Sequence, residues 1–188
     1  EHVQVALVNF LDLNSDEGHA STLRVRGTLH EAFGRYADAL ADYEESLRLF
    51  TVLGLRLWQA WILVNQSTVY VDQDKLDVAE RTCREGMSIF REHKALRGEA
   101  WALRVMGDIA RKRRQFAAAK SYYDEANAIF TELGDRIDQA RIMNACGAIA
   151  FEEGAYLSAK EYYEHALAIA HEQAVHQLEV RALRGLGD

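Results

Sequence analysis

Proline is absent from all 188 residues. A proline inside a helix removes a backbone hydrogen bond and collides with the preceding turn. A chain with none therefore suits long helices joined by short turns. Cysteine is almost as scarce: Cys83 and Cys146 stand alone, in no paired spacing. That excludes a disulfide framework or zinc module and reads as two buried, reduced thiols in a cytoplasmic protein. No apolar run approaches the roughly 20 residues of a membrane span, so no membrane partner is expected. The opening residues carry no leader pattern, and a first residue of Glu1 rather than Met reads as a trimmed chain. Positive charge is in deficit, with 22 Lys and Arg against 29 Asp and Glu and a net charge of -7. Direct coating of nucleic acid is thereby excluded.

Catalytic signatures are missing as well. There is no HExxH, P-loop, GxSxG or GxGxxG, and Gly185-Leu186-Gly187 falls on a helical position. His165, His171 and His176 are spaced to scatter around a helix rather than to stack as metal ligands. The acidic pairs Glu44-Glu45 and Glu152-Glu153 point in different directions on a helix. No catalytic residue, metal site or cofactor is expected, and the chain reads as a protein other than an enzyme.

What is present is repetition. Phe10, Phe50, Phe90 and Phe130 lie 40 residues apart, with Ala170 in the next place. Gly27, Gly107, Gly147 and Gly187 keep one register, and Ser67 fills the gap. Ala39, Ala79, Ala119 and Ala159 form a third series. Tyr43, Tyr123 and Tyr163 form a fourth, broken by Cys83, and Ala20, Ala60, Ala100 and Ala140 a fifth. Each period reads as two helices, from apolar spacings such as Leu103, Met106, Ile109 and Ala110. Gly34 and Gly154 mark one kind of turn, Leu53-Gly54 and Leu133-Gly134 the other. The small residues are expected where paired helices cross closely, with the aromatic four positions after each Ala filling the gap toward the next repeat.

Gly147, Ala150, Gly154, Tyr156, Ala159, Tyr163 and Ala166 together resemble the tetratricopeptide pattern, in a variety with a 40-residue repeat similar to that of bacterial signalling and transcription regulators. The family's proline near the repeat end and its tryptophan early in the first helix are missing, and Ser67, Cys83 and Gly86 make the second repeat the least typical. HEAT and armadillo arrays share the repeat length but lack the Ala-x3-Tyr signature. The resemblance implies an all-α fold, an α-solenoid of antiparallel helix hairpins in a right-handed superhelix. In register, full repeats occupy 20–52, 56–92, 96–132 and 136–172. Residues 1–12 fit the second helix of an earlier repeat, and 176–188 the first helix of a truncated one, all within one array over 1–188.

It also implies a scaffold that binds protein or peptide, and a fragment or sensor region of a larger regulatory protein. In that family first helices line a concave groove. Carried over by register, the groove here holds Trp61, Trp101, Arg104, Arg111, Arg141, Asn144, Phe151, Arg181 and Arg184. Trp and Arg dominate binding hot spots, and the local excess of arginine favours an acidic, extended or helical segment. The carboxylate-clamp variety uses a Lys/Asn set, and Asp108 and Ala145 at two of its positions speak against that particular recognition. The alternatives are a self-association module, dimerising through exposed terminal helices where Leu183 and Leu186 lie, and an array responsive to a small molecule. Trp61 and Trp101 packing only between helices is the plainer account of those two residues.

Overall fold

The computed structural model describes residues 15–187. Among these are nine helices and no strand: α1 (Asp16–Ala32), α2 (Tyr36–Val52), α3 (Arg56–Asp72), α4 (Leu76–Glu92), α5 (Leu96–Lys112), α6 (Phe116–Glu132), α7 (Arg136–Glu152), α8 (Tyr156–Glu172) and α9 (His176–Gly187). The segment 1–12, with Phe10, and Asp188 lie outside the described residues. The described residues divide into two compact units, one up to Gly98 and one from Glu99.

Every helix from α1 to α8 has 17 residues, because the chain reverses at fixed intervals of 20. Each reversal has one design. At the end of α7 the Gly154 N–H donates to the Phe151 carbonyl at 3.0 Å, and the Ala155 N–H to the Ala150 carbonyl at 2.8 Å. This double bond pattern satisfies the last helical carbonyls and requires a left-handed residue between. Glycine supplies it at Gly34, Gly54, Gly134 and Gly154, with φ from 66° to 78°. The other four reversals use Asp74, Lys94, Arg114 and Ala174 at φ 51° to 60°, with the same two hydrogen bonds. A residue with a Cβ is strained there by about 1–2 kcal/mol. Ala174→Gly is therefore expected to raise stability by about 0.5–1 kcal/mol after glycine's greater unfolded entropy is subtracted. Gly154→Ala should lower it by a similar amount. Urea unfolding followed by circular dichroism checks both, and shifts of the same sign would refute the account.

The repeating series form the core. Phe50, Phe90, Phe130 and Ala170 are fully buried, as are Ala20, Ala60, Ala100 and Ala140. In the first unit α1 pairs with α2 and α3 with α4, and α2 and α3 pack between the pairs. In the second, α7 pairs with α8 and α9 returns onto both, while Gly107 of α5 lies against Tyr123 of α6.

Each tyrosine of the fourth series covers the glycine of its own hairpin. A Cβ at Gly27 would stand 2.6 Å from the Tyr43 ring, and one at Gly147 would stand 2.8 Å from Tyr163. The ring therefore fills the void over its own hairpin's glycine, a contact that the expectation of a ring reaching toward the next repeat leaves out. Tyr163 does both, since Gly185 of α9 also meets its ring. The atypical hairpin α3–α4 solves the same problem differently. Cys83 replaces the ring, and Ser67 uses the freed space to donate its hydroxyl to the Ala79 carbonyl at 2.8 Å. A Cβ at Gly86 would come within 2.9 Å of the Ala60 carbonyl, so these two backbones approach closely.

Candidate functional site

The helices that open each hairpin, α5, α7 and α9, bring one arginine-rich cluster together in the second unit. Trp101 of α5 is half-buried. The Arg104 guanidinium lies 4.3 Å from its ring centre and that of Arg141, from α7, 5.5 Å. A cation over an indole face is attracted by the ring's quadrupole, so both arginines are oriented by one side chain. The i, i+3 spacing of Trp101 and Arg104 makes the first contact local to the helix. The second depends on α5 and α7 lying side by side.

The arginines have acidic partners. Arg104 Nη1 donates to Asp108 Oδ2 at 2.7 Å, one helical turn on, and the Tyr123 hydroxyl donates to Asp108 Oδ1 at 2.7 Å. Burial pushes the Tyr123 phenol well above its ordinary pKa, and the Asp108 charge adds to that. Arg141 Nε lies 3.1 Å from Asp138 Oδ1. Its charge is disfavoured first by burial. Asp138 offsets part of this, but Arg104 and Arg181 repel it, and its pKa falls below the usual arginine value. Arg181 of α9 is exposed to solvent. Arg184 is exposed on the same helix.

Asn144, one turn after Arg141, is 4% exposed, and neither Oδ1 nor Nδ2 has a hydrogen-bond partner among the described residues. Arg111 bonds Glu152 Oε1 at 3.1 Å across the hairpins. Burial works against its charge, but Tyr123, Asp108 and Glu152 outweigh this and raise its pKa. Phe151 lies at the far end of α7, about 15 Å along the axis from Arg141. It meets Tyr156 edge-on at 5.4 Å and lines a cavity of about 380 Å³ with Ala159, Lys160, Gly185 and Leu186.

Trp61 belongs to the first unit, where its ring meets Phe90 edge-on at 5.0 Å. That unit has a similar pairing, whose tryptophan the groove register did not single out: Arg24 lies 5.4 Å over Trp58, and Trp58 stacks on Phe50. Asp138 and Tyr123 were also outside the expected groove set. For Asp138 the sequence holds a signal, an acid three residues before Arg141 on one helix. For Tyr123 the only signal is its core register.

No group of three or more metal-ligating side chains occurs among the described residues, and none of their helices is long and apolar enough to cross a membrane.

A family model described as "Tetratricopeptide repeat" matches residues 18–92 and 98–172. Among solved structures the chain is similar to BtubC (BKLC) from P. vanneervenii, with a TM-score of 0.67 at 19% identity over 93% of this chain and 72% of that one. At that identity the likeness speaks to the fold. No curated protein matches the sequence.

Proposed function

The chain belongs to the tetratricopeptide repeat family, whose arrays generally mediate protein–protein interactions, and from that we propose that it is a scaffold binding an acidic segment of a partner protein on the face formed by α5, α7 and α9. The observation that carries this reading is the Trp101 ring flanked by Arg104 and Arg141, with the Arg181 charge acting on Arg141. The chain's net charge is -7, so a concentration of guanidinium groups around an aromatic side chain runs against its overall balance. Such a surface attracts a negatively charged segment over a distance of about 8 Å at physiological salt. It also offers the Trp and Arg anchors that dominate interface energetics.

The geometry also chooses the probe. Only 13% of the Arg104 side chain is exposed and it is bonded to Asp108, so reversing its charge would disturb the array itself. Arg181 is exposed, and Arg181→Glu should leave the fold intact. Selection of displayed random peptides on the wild-type array is expected to enrich Asp- and Glu-rich sequences, and the Arg181→Glu array should lose that enrichment. Recovery of sequences with no acidic bias would sink the reading.

A further inference from the structure

The two ends of the hairpins in the second unit differ in charge. The reversals α5–α6 and α7–α8 stand at one end, where residues 111–117 and 151–157 hold four cations against two anions. The reversals α6–α7 and α8–α9 stand at the other, where 131–137 and 171–177 hold one cation against three anions. In a chain of net charge -7 the first end is the exception. Its two acids are already engaged. Glu152 lies 3.1 Å from Arg111 and 3.8 Å from Arg114, and Glu153 lies 2.6 Å from Lys120. These pairs draw the basic reversal against its neighbour, so the two form one surface. Lys112 is exposed on it, and so is Arg114, whose guanidinium lies over the Phe116 ring at 5.5 Å.

The same surface carries an apolar side chain out of keeping with its place. Residues 151–158 are all exposed, Tyr156 to 64% and Leu157 to 82%. The position of Leu157 is exposed in every earlier hairpin, where it holds Ala37, Asp77 or Ala117. Exposure there is thus a property of the repeat, and the leucine is what sets this copy apart. Leu157 also stands outside the cavity lined by Phe151, Tyr156 and Lys160.

We infer that this end of the second unit is a docking surface for an anionic bilayer, with Lys112, Arg113 and Arg114 among the lipid headgroups and Leu157 at the boundary with the acyl chains. A membrane span needs about 20 apolar residues, whereas peripheral attachment needs only cations and a little apolar surface acting together. The negative potential of the bilayer draws the cations once they come within about 8 Å. Leu157 then leaves water. Tyr156 suits the same boundary, because its ring is apolar and its hydroxyl polar. The acidic far end is repelled by that potential, so the charge asymmetry sets the orientation. A folded protein would need a matching pit for Leu157, and the bases of a nucleic acid stack on rings rather than on an aliphatic side chain. A fluid bilayer closes around it without either. The inference does not depend on the scaffold reading, because none of these residues belongs to the Trp101 cluster.

The test is sedimentation of the intact chain with phosphatidylcholine vesicles made with and without phosphatidylserine. Binding is expected only with phosphatidylserine, and should fall as salt rises. Lys112→Gln combined with Arg114→Gln should weaken it about twentyfold, each cation near such a surface being worth about fivefold. Leu157→Ala should weaken it about tenfold and leave the unfolding temperature unchanged, since the side chain is exposed in the free chain. With the wild-type signal subtracted, an indole introduced by Leu157→Trp should shift its emission to the blue on binding. One introduced by Leu133→Trp, at the acidic end, should not. The proposal is overturned if phosphatidylserine vesicles are not bound, or if either the charge variant or Leu157→Ala binds as the wild type does. A blue shift at Leu133→Trp in place of Leu157→Trp also overturns it. Hexaglutamate or an oligodeoxythymidylate that binds more tightly than the vesicles, and is weakened by the same variants, assigns the surface to protein or nucleic acid and overturns the lipid assignment.

Discussion

Asp108→Ala is expected to destabilise the second unit by about 3 kcal/mol, the cost of leaving a mostly buried charge without its partner. Asp108 accepts from Arg104 at 2.7 Å and from the Tyr123 hydroxyl at 2.7 Å, while the Arg104 side chain is 13% exposed. Alanine leaves a guanidinium and a phenol that water reaches poorly. The pairing is short-range on α5 but ties α5 to α6 through Tyr123, so the loss falls on hairpin closure. Arg104→Met with Asp108→Ala should recover more than half of the loss, since removing both charges leaves no buried ion. Denaturant unfolding of the single and double variants gives the coupling directly. A loss below about 1 kcal/mol for Asp108→Ala would place the pair among ordinary surface ion pairs and defeat the account.

Gly107→Ser should cost about 3 kcal/mol, near the upper end for an overpacked core position. A Cβ at Gly107 would collide with the Tyr123 ring, and the ring cannot swing aside while its hydroxyl is bonded to Asp108. The chain itself contains the compensated arrangement. In α3–α4 the same two positions are Ser67 and Cys83, both buried, and the serine hydroxyl reaches the Ala79 carbonyl at 2.8 Å. Gly107→Ser combined with Tyr123→Cys is accordingly expected to be more stable than Gly107→Ser alone, by about 1 kcal/mol or more, although it forfeits a large buried ring. Strictly additive effects would show that the glycine and the tyrosine are not matched to each other. The comparison is best made by urea titration of all four proteins.

These two expectations divide what could be read from residues alone. The glycine, alanine, tyrosine and phenylalanine series were legible because each core position recurs at the same helical phase, and burial constrains size wherever it recurs. Four of the reversals were legible because glycine marks a left-handed residue. The other four were not, since Asp74, Lys94, Arg114 and Ala174 carry no such mark. Only the 20-residue spacing betrays them. That the tyrosine ring covers the glycine of its own hairpin was not legible for a related reason: period says that a position is buried, not every neighbour that covers it.

The candidate cluster was legible as residue types in register and no further. Trp101, Arg104, Arg141 and Arg181 could be placed in rows from the repeat length. That Arg141 lies over Trp101 while its charge is opposed by Arg104 and Arg181 depends on the lateral approach of α5, α7 and α9. So does the burial of Asn144 at a position held by arginine in two neighbouring repeats. Sequence by itself determined that this chain is a run of helix hairpins with no proline and a periodic core, because those properties follow from residues acting on their own helix. Only the tertiary structure decided which tyrosine closes on which glycine and which arginine is already paired. Those are relations between helices 20 to 40 residues apart, set by how closely the backbones pack.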